Sequence, residues 1–240
     1  VRKVRVFVDG PLQVGETVTL NAATSHYVTR VLRLGVNDAL SVINDSDFEY
    51  LSVLKVPQHA AAQVEVLDCT AGLSESNLRI TLEQALLRSE KMSYVLQKSC
   101  ELGVAQIVPV LTERTEVRLN DEREEKRLKH WREVLISTIE QCGRTRLPVL
   151  SAPVKVVELK PISATGLLLD PSAELRFSEV ALPASEVRVA IGPEGGFTDA
   201  ECSRLERLGY TRVKFGPRTL RTETAGPAVI AALQARAGDC

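Results

Sequence analysis

The 240-residue chain has no apolar run approaching the roughly 18 residues that a membrane-spanning helix needs. Its first ten residues carry Arg2, Lys3 and Arg5, and a polar, turn-like stretch follows where a secretory signal would have its apolar segment, so the chain is expected to work in the cytosol. No two cysteines have C-x-x-C spacing. Cys69, Cys100, Cys142, Cys202 and Cys240 are scattered and odd in number, which speaks against a disulfide framework or a zinc site, and no metal is expected. Most of the five are expected to be small buried apolar residues. Excess charge of either sign is missing too. With 30 Lys and Arg against 31 Asp and Glu the net charge is −1, so a polyanionic partner would have to be held by a local basic patch. There is neither a G-x-G-x-x-G fingerprint nor a Walker loop, which disfavours a dinucleotide or a nucleoside triphosphate.

What is present is an ordinary globular composition, 44% apolar, in two textures. The first 70 or so residues are β-rich. Val4–Val8, Thr17–Leu20, Ala39–Ile43 and Val64–Leu67 are short β-branched stretches bounded by turn residues. One helix interrupts them, with Thr24 or Ser25 as its cap and Tyr27, Val31, Leu32 and Leu34 as its apolar face. Several short strands and one helix suggest a small barrel. Beyond residue 72 strands and helices alternate. Strands are expected at 78–82, 107–111, 166–169, 187–191 and 212–215, and helices at 89–102, 128–142, 199–208 and 224–235, with Gly103 as a C-terminal stop. The near-continuous apolar strands argue for a parallel sheet covered on both faces, an α/β domain over 73–240 after a β domain over 1–72.

Two segments carry chemistry. Ile191-Gly192-Pro193-Glu194-Gly195-Gly196-Phe197-Thr198 follows a strand and precedes a helix. In a parallel sheet ligands bind beyond the carboxyl ends of the strands, and glycines there let the backbone approach a ligand closely. The plainer alternative is a tight strand-to-helix connection with no ligand. Phe215-Gly216-Pro217-Arg218-Thr219-Leu220-Arg221-Thr222-Glu223-Thr224-Ala225 again joins a strand to a helix. Guanidiniums and a carboxylate crowd there beside the free N–H groups of a helix start; the alternative is a surface ion-pair cluster with Thr222 or Thr224 as N-cap.

Together these segments resemble the RsmE family of 16S ribosomal RNA uridine N3-methyltransferases, within the SPOUT superfamily. The Gly-Pro-Glu-Gly-Gly loop and the Phe215–Ala225 segment carry the resemblance, with Gln97–Val104, Glu113-Arg114 and Glu140-Gln141-Cys142-Gly143-Arg144. In the first domain His26 to Arg33 is similar to the family's N-terminal signature, so the likeness runs along nearly the whole chain. Phe215 and Thr219 stand where an aliphatic residue is usual, and Asn44 to Glu49 lacks a glycine turn.

The resemblance implies a PUA-like β-barrel that binds RNA, followed by an α/β domain with a deep trefoil knot, an exception to the usual unknotted chain. It implies a homodimer and S-adenosylmethionine as cofactor. It places Gly192, Pro193, Glu194, Gly195 and Gly196 at the cofactor, with Leu169, Ile191, Phe215, Gly216, Leu220 and Arg221. The reaction implied is methyl transfer to N3 of a uridine in the small ribosomal subunit. Arg221 and Glu223 are the candidates for the transfer step, with Arg114 and Arg144 as supporting arginines. A carboxylate at its ordinary pKa is a poor base for the N3 proton, so electrostatic stabilisation of the imide anion is the expected device. Arg2, Lys3, Arg5, Arg30 and Arg33 are the expected RNA contacts. A related methyltransferase acting on transfer RNA, and a silent RNA-binding assembly factor, are the competing readings.

Overall fold

The computed structural model describes residues 4–73, 75–117, 121–182 and 185–240. Tertiary contacts divide the chain into two compact units, one of residues 1–75 with 136–147, the other of 76–135 with 148–240.

The first unit is a five-stranded sheet in the order β1-β3-β4-β5-β2, formed by β1 (Arg5–Phe7), β2 (Thr17–Thr19), β3 (Ala39–Ile43), β4 (Phe48–Val56) and β5 (Gln63–Ala71). Only β1 and β3 run parallel. Its core draws Val6, Leu20, Leu40, Leu54, Val64 and Val66 from the strands and their ends. The β3–β4 hairpin forms without glycine because Asp45 takes the left-handed conformation itself, at φ 61°, which Asp tolerates better than most residues.

The helical segment differs from expectation. It opens as α1 (Ala22–His26), capped by Asn21, whose side chain accepts the Thr24 N–H; neither Thr24 nor Ser25 is the cap. It continues as a π-helical turn over Tyr27–Val31. The wider turn rotates the buried face. Ser25 and Val28 point into the core, whereas Tyr27 and Val31 are exposed. Ser25 donates to the Leu20 carbonyl and accepts the Ala62 N–H, so its own buried hydroxyl is not stranded.

The second unit is a parallel sheet ordered β12-β10-β11-β6-β7-β8, with β9 also paired to β7. Its strands are β6 (Arg79–Ala85), β7 (Gln106–Leu111), β8 (Val149–Leu150), β9 (Val154–Lys155), β10 (Thr165–Leu169), β11 (Glu186–Ile191) and β12 (Tyr210–Val213). The helices are α2 (Ser89–Glu101), α3 (Asp121–Cys142), α4 (Asp199–Arg207) and α5 (Thr222–Ala237). By contact, α3 belongs to this unit up to Leu135 and to the other from Ile136. Gly103, at φ 80°, stops α2 as expected.

Register shows why the strands read as continuous apolar runs. Leu167, Val189, Leu82 and Ile107 form one row, and Leu168, Ala190, Glu83 and Val108 form the row on the opposite face. The first row is covered from the α5 side, where Gly226 lies against Leu82, and the second packs with Cys202 and Leu205 of α4. Helix α5 buries Val229, Ile230 and Leu233 completely, each contributing about 1.5–3 kcal/mol.

One charged side chain interrupts the second row. Glu83, 1% exposed, accepts hydrogen bonds from the Tyr210 hydroxyl and, at 3.2 Å, from Arg188. Gly166 lies between Tyr210 and Arg188 in the register; a Cβ there would meet the Tyr210 Cα and the Gly209 carbonyl at 3.0 Å. Burial pushes the Glu83 carboxyl above its ordinary range, against the pull of its two partners.

Of the five cysteines, Cys100 and Cys202 are buried and Cys69 and Cys240 exposed, so the expectation that most are buried fails. Among the described residues no helix is long and apolar enough to cross a membrane.

Candidate functional site

Four neighbouring strands, β12, β10, β11 and β6, end on the same edge of the parallel sheet, and the segments leaving them enclose a cavity of about 420 Å3. It is lined by Leu169 to Pro171 after β10, by Ile191 to Glu194 and Gly196 after β11, and by Lys214 to Gly216 and Arg218 to Glu223 after β12. Lys91, from the first turn of α2, completes the wall. This is where ligands collect in open α/β sheets.

The two loops are tied together directly. Thr222 opens α5, and its hydroxyl donates to the Gly192 carbonyl at 2.6 Å while accepting from Gln84 Nε2 at 3.1 Å. The end of β6, the first loop and the start of α5 are thus joined through one buried hydroxyl. Thr222 therefore does not act as the N-cap, and neither does Thr224: Arg221 holds that position with no side-chain cap. Pro227, one turn into α5, has no N–H to offer the Glu223 carbonyl.

The first loop is braced from behind. Pro193 accepts the Gly196 N–H at 2.9 Å in a tight turn, and Gly196 takes φ 69°. Arg114 donates to the Gly195 carbonyl at 2.6 Å and reaches the Phe197 carbonyl at 3.4 Å. Glu201, 7% exposed, accepts the N–H groups of Thr198 and Glu113, both at 2.9 Å, closing a capping box at the start of α4. A second cavity of about 350 Å3 shares Glu194 and Gly196 with the first and adds Gly195, Arg114 and Cys202.

Of the expected cofactor residues the first cavity gathers all but Gly195, which lines the second. Arg221 and Glu223 also line the first. Arg114 does not, because its guanidinium is spent on the loop backbone. Arg144 lies in the other unit, 8% exposed and paired with Glu75. Among the expected RNA contacts Arg30 and Arg33 are exposed, with Arg33 at φ 57°. Arg5 is paired with Glu49 at 3.0 Å, and Arg2 and Lys3 lie outside the described residues. Sequence reasoning missed Lys91, Asp170 and the hydroxyl of Thr222 as parts of the site. The same strand-end rule would have found Lys91, since α2 follows β6.

Lys91 is also the electrostatic hinge of the wall. Its Nζ lies 2.6 Å from Glu194 Oε1 and 3.3 Å from Glu223 Oε2. The hydrogen bond from Lys91 holds the exposed Glu194 carboxyl below its ordinary range, and Glu194 in turn raises the lysine.

The geometry is that of an α/β protein with a small-ligand-sized cavity at the strand ends and cations at its rim. Known proteins agree with that class. A family model described as an RNA methyltransferase domain matches residues 74–234, and one described as an RNA methyltransferase PUA domain matches 20–67. The ribosomal RNA small subunit methyltransferase E of Buchnera aphidicola subsp. Schizaphis graminum is 33% identical over 98% of this chain and 97% of its own. The crystal structure of the Neisseria gonorrhoeae enzyme of that name, bound to S-adenosylmethionine, superposes with a TM-score of 0.91 at 33% identity over 99% of both chains. A Legionella pneumophila protein solved with S-adenosylmethionine bound gives 0.94 at 34% identity over the whole of both chains. The chain belongs to the ribosomal RNA small subunit methyltransferase E family.

Proposed function

We propose that this chain transfers a methyl group from S-adenosylmethionine to N3 of one uridine in 16S ribosomal RNA. The observation that carries the reading is the junction of the two loops, Thr222 Oγ to Gly192 O at 2.6 Å, beside a cavity of about 420 Å3. That volume suits a nucleoside-sized ligand, pockets for such molecules running from about 300 to 1,000 Å3. The residues fit the cofactor in kind as well. Glycine backbone admits close approach, Leu169, Ile191 and Leu220 supply apolar wall, and Glu194 and Glu223 offer negative charge to a cation.

When bound, S-adenosylmethionine supplies a methyl group made electrophilic by its sulfonium. The protein's part is to hold both partners and to stabilise the anion that forms as N3 loses its proton. Arg221 lines the cavity, is exposed, and has no side-chain partner among the described residues, so its guanidinium is free to face the base. It can place N–H donors at the uracil oxygens flanking N3, where the imide charge collects. Glu223 acts beside it, and Arg114 supports the loop from outside the cavity.

Residues 1–72 serve as a PUA-like β-barrel that grips RNA, and 73–240 as the methyltransferase domain with a trefoil knot. The free arginines Arg30 and Arg33 contact phosphate, while the fold of the RNA and an unstacked base give specificity. The chain works in the cytoplasm as a homodimer. Mass spectrometry of small-subunit RNA from cells lacking the protein tests the reading. One N3-methyluridine should vanish, return with wild type, and stay absent with Arg221→Ala. An unchanged methylation pattern in the deletion would overturn it, and a loss confined to transfer RNA would favour the competing substrate.

A further inference from the structure

Two carboxylates from two different segments face the cavity, and one ammonium holds both. Lys91 lies 2.6 Å from Glu194 and 3.3 Å from Glu223. The second contact matters because Glu223 Oε2 is buried and accepts no hydrogen bond among the described residues, leaving the lysine charge to compensate it. With both carboxylates ionised, the three groups carry −1 together; without the lysine they carry −2.

That difference bears on methyl transfer, because the reaction erases a positive charge. The S–CH3 bond breaks with its electron pair left on sulfur, N3 forms the new N–CH3 bond, and the N3 proton passes to water. The donor is a cation and the spent product a neutral thioether. Uncompensated carboxylates in the wall would hold the donor in its ground state, and that stabilisation would fade as the charge dispersed. We propose that Lys91 is a positioning residue that acts through Glu194 and Glu223, cancelling one of their two charges so that the pocket favours the sulfonium over the product less strongly. Ion pairing also keeps the two carboxylates, and so the two loops, from repelling each other. This inference rests on the S-adenosylmethionine reading above.

The test is calorimetric titration of the whole chain with S-adenosylmethionine and with S-adenosylhomocysteine, which differ at the sulfur by one methyl and one charge. In Lys91→Met the ratio of the two Kd values should move toward the sulfonium by about tenfold, the scale of one unit charge across a solvated pocket. Lys91→Arg should keep the wild-type ratio. Glu194→Gln, whose wild-type side chain is 52% exposed, should move the ratio the other way by about threefold. Equal weakening of both ligands in Lys91→Met, with the ratio unchanged, is what a merely structural lysine would give and would overturn the proposal. If Lys91→Met does not fold, Glu194→Gln decides, and an unchanged ratio there overturns it. Wild-type protein that binds neither compound would overturn the cofactor reading itself, a failure visible before any variant is made.

Discussion

The loop after β11 and the loop after β12 line one cavity but are held in opposite ways. Residues 192–198 are braced by Arg114, by Glu201 through the Thr198 N–H, and by the Thr222 hydroxyl. Residues 216–219 are exposed, and the side chains of Arg218, Thr219 and Arg221 have no hydrogen-bond partner among the described residues. The difference separates two tasks. A wall that must fit a ligand of fixed shape is fixed in advance, because mobility there would be lost entropy on binding. On the function proposed above, cations that meet an incoming base are left unpaired, because a guanidinium already paired would have to break one contact to make another.

Three substitutions sharpen or break that contrast. Arg221→Ala should have the largest effect. Methyl transfer to small-subunit RNA should fall by about 10²–10³-fold, the usual loss when a donor to a developing anion is removed. Donor binding should change by less than about threefold, since other groups make the wall. Initial rates with a labelled donor, set beside calorimetry, check both halves; an equal collapse of donor binding would make Arg221 a donor-binding residue rather than one that faces the base. Thr222→Val should come next. It keeps the shape but takes the Thr222 donor from the Gly192 carbonyl and leaves Gln84 Nε2 with the Ala85 carbonyl alone, costing about 1–3 kcal/mol in urea unfolding. The same change should weaken donor binding about tenfold, as a wall cut loose from its neighbour would.

Glu83→Gln should have the smallest effect, and it probes the layer beneath the loops. Because the folded state raises this carboxyl above 4.5, the native protein holds its proton over a range where the unfolded chain has released it. The stability Glu83 lends is therefore complete below pH 4.5 and declines as pH rises through the folded value. The Gln variant lacks that decline. Melting midpoints from pH 4.5 to 8 should show wild type losing ground against the variant; a constant gap would mean that burial does not govern this carboxylate.

Long elements with a clean period were legible from sequence. The strands ending at Leu169 and Ile191 read as apolar runs because both of their faces are covered. Helix α2 read correctly because Met92, Val95 and Leu96 repeat at helical spacing and all are buried. Strand β4 went unread because register shifts between Leu51 and Ser52 and between Leu54 and Val56 break its alternation. The start of α3 was missed because Asp121 to Lys126 carries no apolar period; that turn is helical through charge, with Lys126 on Glu122 one turn back. The π-turn at Tyr27–Val31 defeated a face drawn at 3.6 residues per turn.

The candidate site divides in the same manner. Glycine and proline announce a turn wherever they stand, so the loop at 192–196 was visible. The partners that fix it come from far along the chain. Arg114 is 81 residues from Gly195, and Lys91 is 103 from Glu194. Arg114 was reached only through the Glu113-Arg114 resemblance, and Lys91 was passed over, since a lysine in the first turn of a helix is ordinary until the fold brings two carboxylates to it.

Amide nuclear magnetic resonance spectra of the wild-type chain, titrated with S-adenosylmethionine, test the shared pocket most directly. Backbone N–H signals of residues 192–196 and of 216–223, Pro193 and Pro217 aside, should shift together along one saturation curve, while those of β1 to β5 stay in place. Shifts confined to one loop, or centred away from both, would contradict it.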